Sequence, residues 1–170
     1  TELFEDAEKA CNRAMTRDGQ SAEVSLALGR LHLLTGQSEQ AMGEIDRALT
    51  LKPRWVEAIL ARAEALAVRG FPIEAEAEFK RLIQIDPGYA QAYKTFGNFY
   101  YHNGRFDDAI ANYNEVIKRI PDDWGVYSNF ASAYYMKGDL QRAAEIWLKL
   151  AEENEDPTMF ANIGSMYFYL

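Results

Sequence analysis

The sequence predicts an all-α fold of tandem antiparallel helix hairpins, and three sets of residues in register carry that prediction. Ala7, Ala41, Ala75, Ala109 and Ala143 recur at intervals of 34 residues. Gly36, Gly70, Gly104 and Gly138 keep the same interval, as do Pro53, Pro87 and Pro121; Pro157 follows 36 residues after Pro121, a slip of two. A fixed period of this length marks an array of supersecondary units, each covering the apolar face of the next.

Every period reads as two helices. From Ala90 onward, Tyr93, Phe96, Gly97 and Tyr100 stand at i, i+3, i+4 and i+7 and place an apolar stripe on one helical face. Asn103-Gly104 ends that helix, since glycine tolerates the left-handed cap. A second stripe runs through Phe106, Ala109, Ile110, Tyr113, Val116 and Ile117. Pro121 stops it, having no amide hydrogen to extend the ladder. Pro72, just after Gly70, falls in the first turn of a second helix, where proline is welcome.

The columns explain why the period must hold. Ala109 and its equivalents mark a close helix–helix approach, and Gly29, Ala63, Gly97, Ala131 and Gly164 form a second small-residue column. Bulky partners stand against them. Cys11, Ile45, Phe79, Tyr113 and Trp147 share one column, and His32, Leu66, Tyr100, Tyr134 and Tyr167 another. Burying one such large side chain contributes roughly 1.5–3 kcal/mol, and overpacking a small site costs about 1–3 kcal/mol. Cys11 and His32 are therefore expected as core residues, His32 buried and hydrogen-bonded.

Composition excludes several classes. The chain has 170 residues, 48% of them apolar and 26% charged, with a net charge of -8. No apolar run reaches the roughly 18 residues of a membrane span, and no charged-then-apolar start suggests a signal peptide. The first residue is Thr1, so a leader or further domains are left open. A cytoplasmic location is expected, with a periplasmic one as the alternative. A single cysteine, Cys11, rules out an internal disulfide framework and a cysteine-rich zinc site. The acidic balance argues against nucleic acid, whose phosphates demand Lys and Arg.

The stretch Ala-Gln-Ala-Tyr-Lys-Thr-Phe-Gly-Asn-Phe-Tyr-Tyr-His-Asn-Gly-Arg-Phe-Asp-Asp-Ala-Ile-Ala-Asn-Tyr, Ala90 to Tyr113, resembles the tetratricopeptide repeat family almost throughout. The resemblance covers the entire chain. It is read as a single array, 1–170, with complete copies at 22–55, 56–89, 90–123 and 124–156. Residues 1–21 resemble the second helix of an earlier copy and 157–170 the first helix of a later one. Membership implies a right-handed superhelix whose concave side, lined by the first helices, binds peptides or partner proteins. Two positions depart from the pattern. Arg62 occupies a column otherwise filled by Leu28, Phe96, Phe130 and Ile163, so it packs loosely or snorkels outward. Gly19 stands where later copies carry proline.

No catalytic, metal or cofactor-binding residue is nominated. His32 and His102 lie in different columns, and Cys11 has no histidine near it in sequence or register. Glu74, Glu76 and Glu78 read as a solvated outer face, and Glu152, Glu153, Glu155 and Asp156 as a polar inter-repeat loop. The glycines are dispersed helix terminators rather than a phosphate loop.

The inner wall is more informative. Its stripe, at i, i+3, i+7, i+10 and i+11 of each first helix, reads Glu23, Leu26, Arg30, Leu33 and Leu34, then Glu57, Leu60, Glu64, Ala67 and Val68. It continues with Gln91, Lys94, Asn98, Tyr101 and His102, then Gly125, Ser128, Ser132, Tyr135 and Met136, and ends with Thr158, Ala161, Ser165, Phe168 and Tyr169. Aliphatic and charged at first, the stripe becomes aromatic and neutral-polar. The expected peptide-binding residues are Lys94, Asn98, Tyr101, His102, Ser128, Asn129, Tyr135, Phe168 and Tyr169. The aromatics offer contact area at little entropy cost, and Asn98 and Asn129 suit the backbone of an extended ligand. Packing between neighbouring repeats is the competing role for the aromatics.

Chaperone-tail-binding members of the family hold a terminal carboxylate with Lys and Asn, then Asn, then Lys and Arg. Lys94, Asn98 and Asn129 match the first three places, but Thr158 and Asn162 bring no charge to the last two. Asn129 and Asn162 also match the asparagine ladder of the family's sugar-transferring enzymes, which Ala27, Ala61 and Thr95 break.

The ends read as unfinished. Met166-Tyr167-Phe168-Tyr169-Leu170 closes the sequence on an apolar helix without its hairpin partner, as in a piece of a longer repeat protein. Head-to-tail pairing of 157–170 with 1–21 of another copy is the assembly alternative, and would build rings or filaments. The expected function is a non-enzymatic scaffold that binds a protein or peptide partner. A regulatory or substrate-presenting region of a larger enzyme or signalling protein is the alternative from another class.

Overall fold

In a computed structural model of the chain, the described residues are 6, 9–11, 13, 21–154 and 163. They contain eight complete helices and fall in two compact units. Unit 1, Thr1–Pro87, holds α1 (Ala22–Leu34), α2 (Ser38–Leu51), α3 (Val56–Val68) and α4 (Pro72–Ile85). Unit 2, Gly88–Leu170, holds α5 (Ala90–His102), α6 (Phe106–Arg119), α7 (Trp124–Lys137) and α8 (Leu140–Asn154). No strand occurs among the described residues.

The repeating glycines and prolines set the punctuation. Gly138 caps α7 in the left-handed region at φ 90°, and its equivalents Gly36, Gly70 and Gly104 also have positive φ. Each hairpin turn is therefore sharp. The second helices end by a different device. Lys52, Asp86 and Ile120 precede prolines and take φ near −135° with ψ of 81° to 89°. A following proline ring disfavours the α region for the residue before it, so the helix stops one place early. Pro72 opens α4 at its first turn, and Ser21 caps α1 by accepting from the Val24 amide at 3.3 Å.

Within unit 1, α1 packs on α2, α2 on α3 and α3 on α4. Its core joins Leu26, Ala41, Met42, Ile45, Ala48, Ala58, Ala61 and Ala65. Within unit 2, α5 packs on α6, α6 on α7 and α7 on α8, with α5 also reaching α7. Here the core is aromatic: Phe96 stacks on Tyr100 at 4.2 Å and Phe130 meets Tyr134 edge-on at 5.0 Å. The small columns lie directly against the large ones. A β-carbon on Gly29 would stand 2.6 Å from Ile45 Cγ1, and one on Gly97 would stand 2.6 Å from Tyr113 Cε1.

Several expectations need correction. Leu26 and Leu60, placed on the inner stripe, are buried in unit 1 instead. His32 is only half-buried, with Nδ1 at 2.8 Å from Gln37 Oε1, and Cys11 is likewise half-buried. Glu152 and Glu153 belong to α8, not to a loop; Glu155 and Asp156 lie outside the described residues. Glu78 is not a solvated outer-face residue, because it is drawn into ion pairs. Arg62 explains it. Its guanidinium meets Asp46 of α2 at 3.0 Å and Glu78 of α4 at 3.0 Å, and Glu78 also pairs with Arg81 at 3.1 Å. Snorkelling resolves the polar intrusion in an apolar column by tying three helices together. Gly19 and the columns' last members, Gly164 and Tyr167, lie outside the described residues.

Candidate functional site

Three helices of unit 2 bring together a polar pocket. Asn98 comes from α5, Tyr113 from α6 and Asn129 from α7. The Tyr113 hydroxyl donates to Asn98 Oδ1 at 2.8 Å, and Asn129 Nδ2 donates to the same oxygen at 3.1 Å. Tyr113 can reach because residue 97 is glycine: its ring passes beneath α5 where a side chain would block it. Burial pushes the Tyr113 phenol above its usual range, with Tyr101 adding to the shift, so the hydroxyl stays protonated as a donor.

The saturated oxygen of Asn98 fixes what the pair offers outward. Asn98 Nδ2 and Asn129 Oδ1 have no hydrogen-bond partner among the described residues. One donor and one acceptor, carried by two hydrogen-bonded amides that both line the pocket, match in type the carbonyl and N–H of a peptide. Around them, Tyr101, His102, Tyr113 and Ser132 complete a cavity of about 170 Å³. Small-molecule and cofactor sites are commonly about 300–1,000 Å³, so this space suits one amide group or one short side chain.

Not every expected residue gathers here. Asn98, Tyr101, His102 and Asn129 line the cavity. Tyr101 packs edge-on against Phe106 at 5.7 Å, and His102 is exposed. Lys94 is turned away from such use: its ammonium lies 2.8 Å and 3.1 Å from the two oxygens of Asp123. Ser128 contributes its carbonyl to the Ser132 hydroxyl at 2.9 Å and is not part of the lining. Tyr135 is 47% exposed and lies 5.9 Å from the Trp147 ring, also outside the lining. Phe168 and Tyr169 lie outside the described residues, as do Thr158 and Asn162 and most of both terminal segments proposed for self-association.

Tyr113 and Ser132 are the lining residues that the expected set omits. Ser132 was on the inner stripe, four residues after Ser128 and one helical turn along. Tyr113 was assigned to the core, where its ring indeed lies. Its hydroxyl is the signal that a purely apolar role leaves unexplained: the equivalent Ile45 and Phe79 have none.

Among the described residues, no group of three His, Cys, Asp or Glu side chains is arranged to hold a metal. No described helix is long and apolar enough to cross a membrane.

Paired helices on a constant period define a helical-repeat protein. The sequence profile of the tetratricopeptide repeat matches residues 2–54, 26–90 and 94–158, and the chain belongs to that family. Solved structures agree on the fold. MamA is 26% identical, with 89% of each chain covered and a TM-score of 0.74. A thermophilic tetratricopeptide repeat protein of Thermus thermophilus is 21% identical over 97% of this chain and 91% of its own, with a TM-score of 0.79. YrrB, a family member with an unusual peptide-binding site, is 17% identical over 96% of this chain and 84% of its own, at 0.70. No curated protein matches the chain significantly.

Proposed function

We propose that unit 2 grips an extended segment of a partner protein, with Asn98 and Asn129 holding a peptide group of its backbone. Repeats of this family serve as interaction scaffolds, and the finer assignment rests on one observation: the Asn98–Asn129 bond leaves an adjacent donor and acceptor without protein partners. Tyr101 supplies an aromatic wall beside them, and the cavity admits one side chain of the ligand. With Lys94 neutralised by Asp123, the grip is neutral and polar rather than a clamp for a terminal carboxylate. The ligand is therefore an internal stretch of chain, recognised through its backbone and one small side chain.

Peptides selected from a random display library against the chain provide the test. Tyr101→Ala combined with Asn129→Ala is expected to weaken the selected peptides at least tenfold in calorimetry, with helicity unchanged. Undiminished affinity in that variant would overturn the assignment.

A further inference from the structure

Unit 1 presents a surface of different chemistry. The turn joining α3 to α4 exposes Val68 at 70%, Phe71 at 42% and Ile73 at 82%, and Leu34, equivalent to Val68 one repeat earlier, is exposed at 75%. Three large apolar side chains within six residues of chain are unusual for a hairpin turn. The same places in the next repeat carry His102, Arg105 and Asp107. Arg69 partly shields the turn, its guanidinium 5.2 Å from the Phe71 ring centre and 2.7 Å from Glu39, but Val68 and Ile73 stay open.

One helical turn before Val68, on the same face of α3, stands Glu64. It corresponds to Asn98 in unit 2, but the residue beneath it is Phe79 where Tyr113 supplies a hydroxyl. Glu64 thus has no counterpart of that donor. It accepts no hydrogen bond and forms no ion pair with any described residue. Burial raises its carboxyl above the ordinary value, against a weaker opposing influence of Arg30. The Arg30 guanidinium itself donates to the Glu57 carbonyl at 3.4 Å. Glu57 lies two turns before Glu64, and its carboxylate is likewise in no ion pair with a described residue.

The geometry points to a docking surface for a basic amphipathic helix of a partner protein, whose Lys or Arg side chains pair with Glu57 and Glu64 while its aliphatic side chains cover Val68, Phe71 and Ile73. Charge complementarity selects the occupant. Two acidic side chains seven residues apart on one helix are separated by roughly 10 Å along its axis. A ligand helix lying along α3 meets both when its own cations are seven residues apart. An aliphatic residue four places beyond the second cation then faces Val68. A negatively charged lipid surface is disfavoured by the same carboxylates and by the net charge of -8. This surface belongs to unit 1 and does not rest on the reading of Asn98 and Asn129.

Synthetic helical peptides carrying that pattern test it by calorimetry on the whole chain. One has lysines seven apart with leucines along the same face; a second has glutamates in their place; a third has the same composition with the lysines moved off that face. The first should bind, the second and third at least tenfold more weakly. Glu64→Gln, and separately Val68→Ser with Ile73→Ser, should each weaken the first peptide about tenfold, whereas Tyr101→Ala with Asn129→Ala should leave it unchanged. Equal binding of the three peptides, or full affinity in the Val68→Ser, Ile73→Ser variant, would overturn the proposal. So would sedimentation showing a dimer that this variant dissociates, because the surface would then belong to a second copy.

Discussion

Gly97 lies so close to the Tyr113 ring that a β-carbon there would stand 2.6 Å from Cε1 and 2.8 Å from Cδ1. The contact is a packing requirement and also the route by which the hydroxyl reaches Asn98.

Gly97→Ala should therefore cost about 1–3 kcal/mol, the usual penalty of forcing a methyl into a filled core. A buried ring cannot swing aside as the end of a flexible chain would. Urea denaturation measures the loss, and a variant as stable as the parent would show that the ring relocates freely.

Tyr113→Phe keeps the ring and removes only the hydroxyl. Losing one part-buried hydrogen bond costs about 0.5–1.5 kcal/mol, and Asn98 Oδ1 is left with Asn129 as its donor. Asn98 is then free to reorient, so peptides bound through unit 2 should weaken by more than the small stability change would suggest. Parallel melting and calorimetry separate the two effects.

Arg62→Leu restores the apolar type found elsewhere in its column. Glu78 keeps Arg81, and Asp46 is half-exposed, so stability should change by less than about 1 kcal/mol. A loss above about 2 kcal/mol in urea denaturation would mean that the link across three helices is a principal support of unit 1.

Glu64→Gln should raise the melting temperature near neutral pH. The folded-state pKa of Glu64 is raised above 4.5 by burial, so its ionised form opposes folding. That opposition is absent below the unfolded value and grows as pH rises through the folded one. The two proteins should therefore melt alike near about pH 4 and diverge above it, the variant being the more stable. A difference that stays constant with pH would refute the assignment. Stabilisation by the same change that weakens a ligand is the pattern expected of a binding residue held in an unfavourable setting.

Periodicity made the helices legible. Each glycine that ends a first helix and each proline that follows a second helix acts through its own backbone, by positive φ or by constraint on the preceding residue. Such effects are local and can be read along the chain. The inner face was legible only in part: the spacing of Asn98, Tyr101 and Asn129 puts them on first helices, and all three line one cavity, whereas Lys94, Ser128 and Tyr135 do not. Less could be read about partners. Lys94 and Asp123 are 29 residues apart, and nothing in a 3.6-residue pattern announces that they meet. Leu26 and Leu60 satisfied the stripe equally well as Arg30 and Glu64, yet the helices rotate them into the core.

Repetition of small, large and chain-breaking residues was enough by itself to determine the family and the pairing of helices, since both follow from backbone constraint and apolar spacing. Only the tertiary structure decided which polar groups remain unspent. Asn98 has its oxygen filled but its amide free, Lys94 is cancelled, and Glu64 is left without a donor. Each outcome depends on a side chain delivered by another helix, and distances of about 3 Å between helices are set by packing rather than by spacing along the chain.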